Sequence, residues 1–137
     1  MRIASFIAAM IVVGLVTGCT DPLVRQVRDA ATPQQWHAWA AGVLDRYGKM
    51  PTNAVGAAEV PASALPGFFR GVRAEYGGWQ IYAWPASAGT PAHLFILDRG
   101  SFGSAGILVG PPTFSTTNPD DRGKTEQVYP GVYVRRI

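Results

Sequence analysis

The stretch that decides the fold runs from Trp79 to Val109 and reads WQIYAWPASAGTPAHLFILDRGSFGSAGILV. Trp79 to Trp84 alternates. Trp79, Ile81 and Ala83 fall on one side and Gln80, Tyr82 and Trp84 on the other, the period of a strand with two unlike faces. Pro85 to Pro91 is made of Ala, Ser, Gly, Thr and Pro and reads as a hairpin loop. His93 to Asp98 is apolar enough for a central strand. Arg99 to Ser104 is a Gly-rich turn, and Gly106 to Val109 is a third strand. Connections this short reverse the chain, so the strands pair antiparallel; parallel pairing needs a dozen or more residues of crossover. Val128 to Arg136 reads as a further strand, broken by Pro130-Gly131.

Upstream of the strands the period changes. Thr32-Pro33-Gln34-Gln35 is a helix start: Thr32 caps, Pro33 suits the first position and Gln35 completes a capping box. Trp36, Trp39, Ala40, Val43, Leu44 and Tyr47 then share one helical stripe, and Gly48 closes it. Lys49 to Glu59 reads as loop, and Leu65 to Val72 as a short helix with Phe68 and Phe69 on its apolar face. Pro111 to Gln127 reads as polar loop. Helices first and strands after predict an α+β fold, an N-terminal amphipathic helix packed on a small antiparallel sheet of three or four strands. The length, 137 residues with 47% hydrophobic, fits one folded domain, placed at 32–137. The single Cys excludes a disulfide within the chain and any site built from several Cys ligands.

That Cys sits in the most specific motif of the chain. Met1-Arg2 is followed by 14 residues, Ile3 to Val16, without a charge. A spanning helix needs about 20 apolar residues and a secretory apolar region about 7–15, so the length fits an export signal. The run ends Val16-Thr17-Gly18-Cys19, which resembles the lipobox of bacterial lipoproteins. The resemblance implies a signal peptide at 1–18, cleavage before Cys19, and diacylglyceryl and further fatty-acid (palmitate-type) groups on Cys19. Residues 19–31 then read as lipidated Cys and a tether that begins with a helical turn or two, with Leu23, Val24 and Val27 close to one face. Two or more acyl chains hold stably to a bilayer where one does not. Thr20 follows the Cys where an Asp would favour retention in the inner membrane. The expected location is therefore a lipid-anchored, exported one, the outer membrane facing the periplasm if the host is Gram-negative.

Residues 19–137 carry 11 Lys and Arg against 9 Asp and Glu, and the arginines are scattered pairs: Arg25/Arg28, Arg70/Arg73 and Arg135/Arg136. Nucleic-acid binding clusters its positive charge, so no nucleic-acid partner is expected. Catalytic patterns are weak. Ser101 or Ser104 with His93 and Asp98 would make a nucleophile set, but no spacing demands it and there is no Gly-x-Ser-x-Gly elbow. His37 lies on the flank of the helix stripe. Asn118, Asp120, Asp121 and Glu126 gather oxygens, yet Arg122 and Tyr129 stand where a calcium loop wants ligands. Gly100, Gly103 and Gly106 lead into a strand, not a helix, and read as a turn rather than a phosphate cradle. No enzyme activity, metal or cofactor is expected.

The aromatics are more suggestive. The helix stripe claims Trp36 and Trp39 for the core. If the helix covers one sheet face, then Gln80, Tyr82 and Trp84 line the other, as a binding surface for glycan or peptide or as a layer covered by the 111–127 loop. The leading expectation is a non-catalytic envelope interaction module anchored through Cys19. Cell-wall glycan or other carbohydrate binding through exposed aromatics comes second, and a small hydrolase third.

Overall fold

The computed structural model describes residues 21–116 and 124–137. Val16, Thr17, Gly18 and Cys19 lie outside them, as do Asn118, Asp120 and Asp121. Two helices, α1 (Pro22–Ala30) and α2 (Pro33–Tyr47), precede six strands: β1 (Ala58–Val60), β2 (Trp79–Trp84), β3 (His93–Gly100), β4 (Gly103–Val109), β5 (Lys124–Tyr129) and β6 (Val132–Arg136). The strands form one sheet in the order β1-β2-β3-β4-β6-β5, every neighbour antiparallel. The class is mixed α+β with an antiparallel sheet, but the sheet has six strands rather than the expected three or four.

Both extra strands have local causes. Pro130-Gly131 does not interrupt one strand; it turns the chain between two. Gly131 has φ +81°, and a Cβ there would come within 2.3 Å of the Pro111 carbonyl oxygen, so only glycine makes this turn. β1 is too short to show a period. It satisfies the open edge of β2 through the pairs Ala58–Ala83, Glu59–Tyr82 and Val60–Ile81, and Pro61 ends it.

The helical layer also differs from the single N-terminal amphipathic helix expected. Within the segment read as a tether with a helical start, Asp21 accepts from the Leu23 amide at 2.8 Å and begins a full helix, α1, whose Leu23, Val24 and Val27 are buried. In α2 the capping box forms as its sequence requires, with Thr32 N–H donating to Gln35 Oε1 at 2.9 Å and Gln35 N–H to Thr32 Oγ1 at 3.3 Å. Of the α2 stripe only Trp36, Ala40 and Val43 are buried; Trp39, Leu44 and Tyr47 are half-exposed, because α2 shares the sheet with α1. The Trp36 indole donates to the Val27 carbonyl at 3.1 Å, which ties the two helices. Phe68 and Phe69 meet it edge-on at 4.9 and 6.2 Å. They belong to a 3₁₀ helix, Gly67–Gly71, where the short helix of 65–72 was expected.

The register sets two faces. On the helix side, Val60, Ile81, Ile96, Ile107 and Val134 line up across the sheet, with Ala58, Ala83, Leu94, Val109 and Val132 beside them. On the outer side, Tyr82, Phe95, Leu108 and Tyr133 form the matching row. No helix among the described residues is long and apolar enough to cross a membrane.

Candidate functional site

The outer face carries a groove of about 350 Å³ whose walls include Trp84, His93, Phe95, Leu108, Phe114 and Arg135. Trp84 and His93 are cross-strand partners at the ends of β2 and β3, and their rings lie within 11° of parallel with centroids 6.4 Å apart. Phe114 stacks on the other side of His93 at 4.4 Å and 23°, then meets Tyr133 edge-on at 5.9 Å. Trp84 and His93 are half-exposed, while Phe114 is only 3% exposed.

The groove is rigid because its walls are locked from behind. A Cβ on Gly106 would come 2.2 Å from Phe95 Cε2, so the bare glycine lets the Phe95 ring lie flat on β4. Gly110 does the same for Phe114, where a Cβ would come 2.6 Å from Cγ. The Phe114 amide closes a turn on the Pro111 carbonyl at 2.8 Å, and the Tyr133 hydroxyl donates to the Phe114 carbonyl at 3.1 Å.

Few polar atoms face this wall. His93 Nδ1–H donates to the Pro91 carbonyl at 3.0 Å, which fixes the tautomer and leaves Nε2 as an acceptor. Burial holds the imidazole below its ordinary pKa against the pull of that hydrogen bond, and the positive Arg135 lowers it further. Arg135 Nε–H in turn reaches Thr125 Oγ1 at 3.4 Å. Thr116, on the groove wall, has a buried Oγ1 with no hydrogen-bond partner among the described residues. An apolar trough with a few fixed polar atoms is the general form of a binding site.

The expected surface Gln80, Tyr82 and Trp84 does share the outer side of β2, with Gln80 exposed and the other two half-exposed. Only Trp84 borders the groove. The Tyr82 hydroxyl donates to Gln80 Oε1 at 2.9 Å, and this pair edges a smaller hollow of about 170 Å³ beside β1. Sequence reasoning missed Phe114, which lies in a segment read as polar loop. It also weighed His93 only as a catalytic group, although its parity with Phe95 and Leu97 put it on the outer face. The covering-loop alternative holds in part, since Phe114 at the start of that loop sits over the sheet.

The drawn nucleophile set does not assemble. His93 and Asp98 are an odd number of residues apart on one strand and point to opposite faces. Asp98, 1% exposed, instead accepts four backbone amides: Glu75 at 2.5 Å, Tyr76 at 3.0 Å, and Gly77 and Gly78 at 3.1 Å each. His37 Nε2–H donates to the Pro130 carbonyl at 2.7 Å, so its ring ties α2 to the β5–β6 turn. Beside His37 an almost wholly apolar hollow of about 360 Å³ lies between Ala41 and Leu44 of α2 and Pro91, Pro111 and Pro112. Among the described residues no three His, Cys, Asp or Glu come together as a metal site. Compared with models of protein families, with curated proteins and with solved structures, the chain finds no match.

Proposed function

We propose that this chain is a lipid-anchored bacterial envelope protein whose domain is a non-catalytic interaction module, with the outer-face groove as its binding site. In this reading residues 1–18 export the chain and Cys19 carries the acyl groups; if the host is Gram-negative, Thr20 favours the outer membrane, facing the periplasm. The groove supports it because the Trp84–His93–Phe114 stack keeps aromatic surface half-open on the sheet face that the helices leave uncovered. The reading is of binding rather than hydrolysis because the carboxylate drawn as a partner for His93, that of Asp98, lies on the opposite face and is taken up by four backbone amides.

A saccharide ligand is the second reading. The half-open Trp84 ring offers a flat stacking surface, with the Thr90, Ser115 and Thr116 hydroxyls beside it.

One experiment separates the readings. A photo-crosslinking amino acid at Thr90, on the groove wall, is activated in cells making the full chain, and the adducts are captured and identified. A reproducible envelope protein that disappears with Trp84→Ala supports the module. Adducts of glycan alone shift the assignment to carbohydrate. The same adducts from a probe at Val55, outside the groove, would overturn the site. Fatty-acid labelling that persists in Cys19→Ala would overturn the anchor.

A further inference from the structure

We propose that the sheet end bearing the β3–β4 turn docks on the bilayer that holds the acyl chains of Cys19, with Phe102 as the inserted side chain. This rests on the anchored reading above and adds an orientation to it. Phe102 is 99% exposed, the most exposed large apolar side chain among the described residues. It is not on a loose loop. Gly100 pairs with Gly103 across the turn, and Tyr76 packs behind it so closely that a Cβ on Gly103 would come 2.8 Å from the Tyr76 ring. The braced turn holds the ring out as a preformed apolar contact, and burying it against an apolar phase is favourable.

The chain itself says what lies nearby. Asp21 is bound to Arg136, with Nε to Oδ2 and Nη2 to Oδ1 both at 2.8 Å. Arg136 pairs with Ala105 in the β4 ladder, so the start of α1 sits at the same sheet end as the turn. Cys19 is two residues before Asp21, at most about 7 Å of chain. Phe102 is three residues beyond Ala105 in the direction that leaves the sheet, about 10 Å further out. A bilayer that holds the acyl chains of Cys19 therefore lies within a short reach of the sheet end that carries Phe102, and apolar side chains enter the headgroup and acyl boundary by about 5–10 Å.

Charge does not oppose the contact. Arg136 also donates to Glu75, with Nη1 to Oε2 at 3.0 Å and Nη2 to Oε1 at 3.2 Å, so one guanidinium spans the Asp21 and Glu75 carboxylates, while the buried Asp98 carboxylate at the same end is taken up by backbone amides. Exposed Arg99, at the base of the turn, brings Asp21, Glu75 and Arg136 to neutrality and is placed to meet a lipid phosphate. The groove rim at Trp84 and His93 lies at the opposite ends of β2 and β3, so docking leaves it clear of the surface.

The test uses the full chain, processed in cells and placed in vesicles of phosphatidylethanolamine and phosphatidylglycerol. Intact mass first establishes acylation of Cys19; an unacylated mass overturns the anchored reading by itself. Phe102→Cys and, separately, Val55→Cys are then labelled with an environment-sensitive fluorophore; Val55, 72% exposed, precedes β1 at the far end. The expected result is blue-shifted emission and protection from a membrane-impermeant quencher at 102 and neither at 55. An acylated protein whose label at 102 stays quenchable overturns the docking. So does protection at 102 that appears without vesicles and grows with protein concentration, which would assign the turn to a second copy of the chain.

Discussion

Asp21 and Arg136, 115 positions apart, form a two-pronged ion pair that fastens the first turn of α1 to the end of β6. Asp21 also caps α1 through the Leu23 amide. Removing it with Asp21→Ala loses both contacts and should lower unfolding stability by about 1–2 kcal/mol, whereas Asp21→Asn keeps the cap and should lose about half of that. The hydrogen bonds from Arg136 hold the Asp21 carboxyl below the usual carboxylate range, outweighing its partial burial. A depressed folded pKa contributes stability that is present above the unfolded value and lost as pH falls through the folded one. Urea unfolding of wild type should therefore weaken more between about pH 5 and about pH 2 than that of Asp21→Asn. Solvent around the pair keeps the difference near 1 kcal/mol or below.

Asp98 should be far less tolerant. It sits on the helix side of β3 beside Trp79 and Ala105, and its two oxygens take all the amides of Glu75 to Gly78. Asp98→Ala leaves those four donors without their acceptor around a buried site and should cost about 3–5 kcal/mol, or prevent folding. Asp98→Asn keeps one oxygen and turns an amide donor against two of the N–H groups, so it should fall between. Denaturant midpoints of the three proteins give the order directly. Equal stability of Asp98→Ala and wild type would remove Asp98 from the role of loop clamp.

Gly106 tests whether the groove wall is held by close approach of backbone and ring. In sequence it is the third member of the Gly100, Gly103, Gly106 series and opens the third strand, and it lies within β4, opposite Leu97. Its reason is steric: Phe95 occupies the space a side chain would fill. Gly106→Ala should destabilise by about 1–3 kcal/mol and tilt Phe95 into the groove. The double variant Gly106→Ala, Phe95→Leu should recover most of the loss, a coupling that a double-mutant cycle measures.

What was legible followed the strength of the local signal. The α2 cap, the alternation of β2 and the apolar run of β3 each repeat a period several times, and all three stand where the sequence puts them. α1 was not legible as packed structure because Leu23, Val24 and Val27 are its only large apolar residues, set among Arg25, Arg28 and Asp29; burial under the sheet decides it, not period. β1 has three residues and exists to pair an edge. Pro130-Gly131 looked like a break because Val128-Tyr129 before it and Val132-Tyr133 after it read as one strand while polar Lys124 to Gln127 read as loop, and the hairpin appears only when both segments find partners. The site was half legible for a similar reason. Parity on β2 places Trp84, but Phe114 reaches the groove through a turn at Pro111 that no periodic pattern encodes.

His93 carries the last prediction. Between Trp84 and Phe114, with Nδ1–H on the Pro91 carbonyl, it is held neutral, its pKa below the ordinary 6.5 chiefly through burial. The unfolded chain takes up that proton more readily than the folded one, so stability should fall as pH drops below about 6.5 and level off once the folded ring also protonates. Protonation would put a charge between two aromatic rings and beside Arg135, and the groove should loosen with it. NMR titration of the His93 ring should give a pKa below 6.5, and Phe114 signals should shift with the same midpoint. His93→Phe keeps a ring in the stack and removes the proton. It should abolish this part of the pH dependence without changing the Asp21 contribution at lower pH. An unaltered profile in His93→Phe would mean that the ring titrates as it does in the unfolded chain and that the stack is open to water.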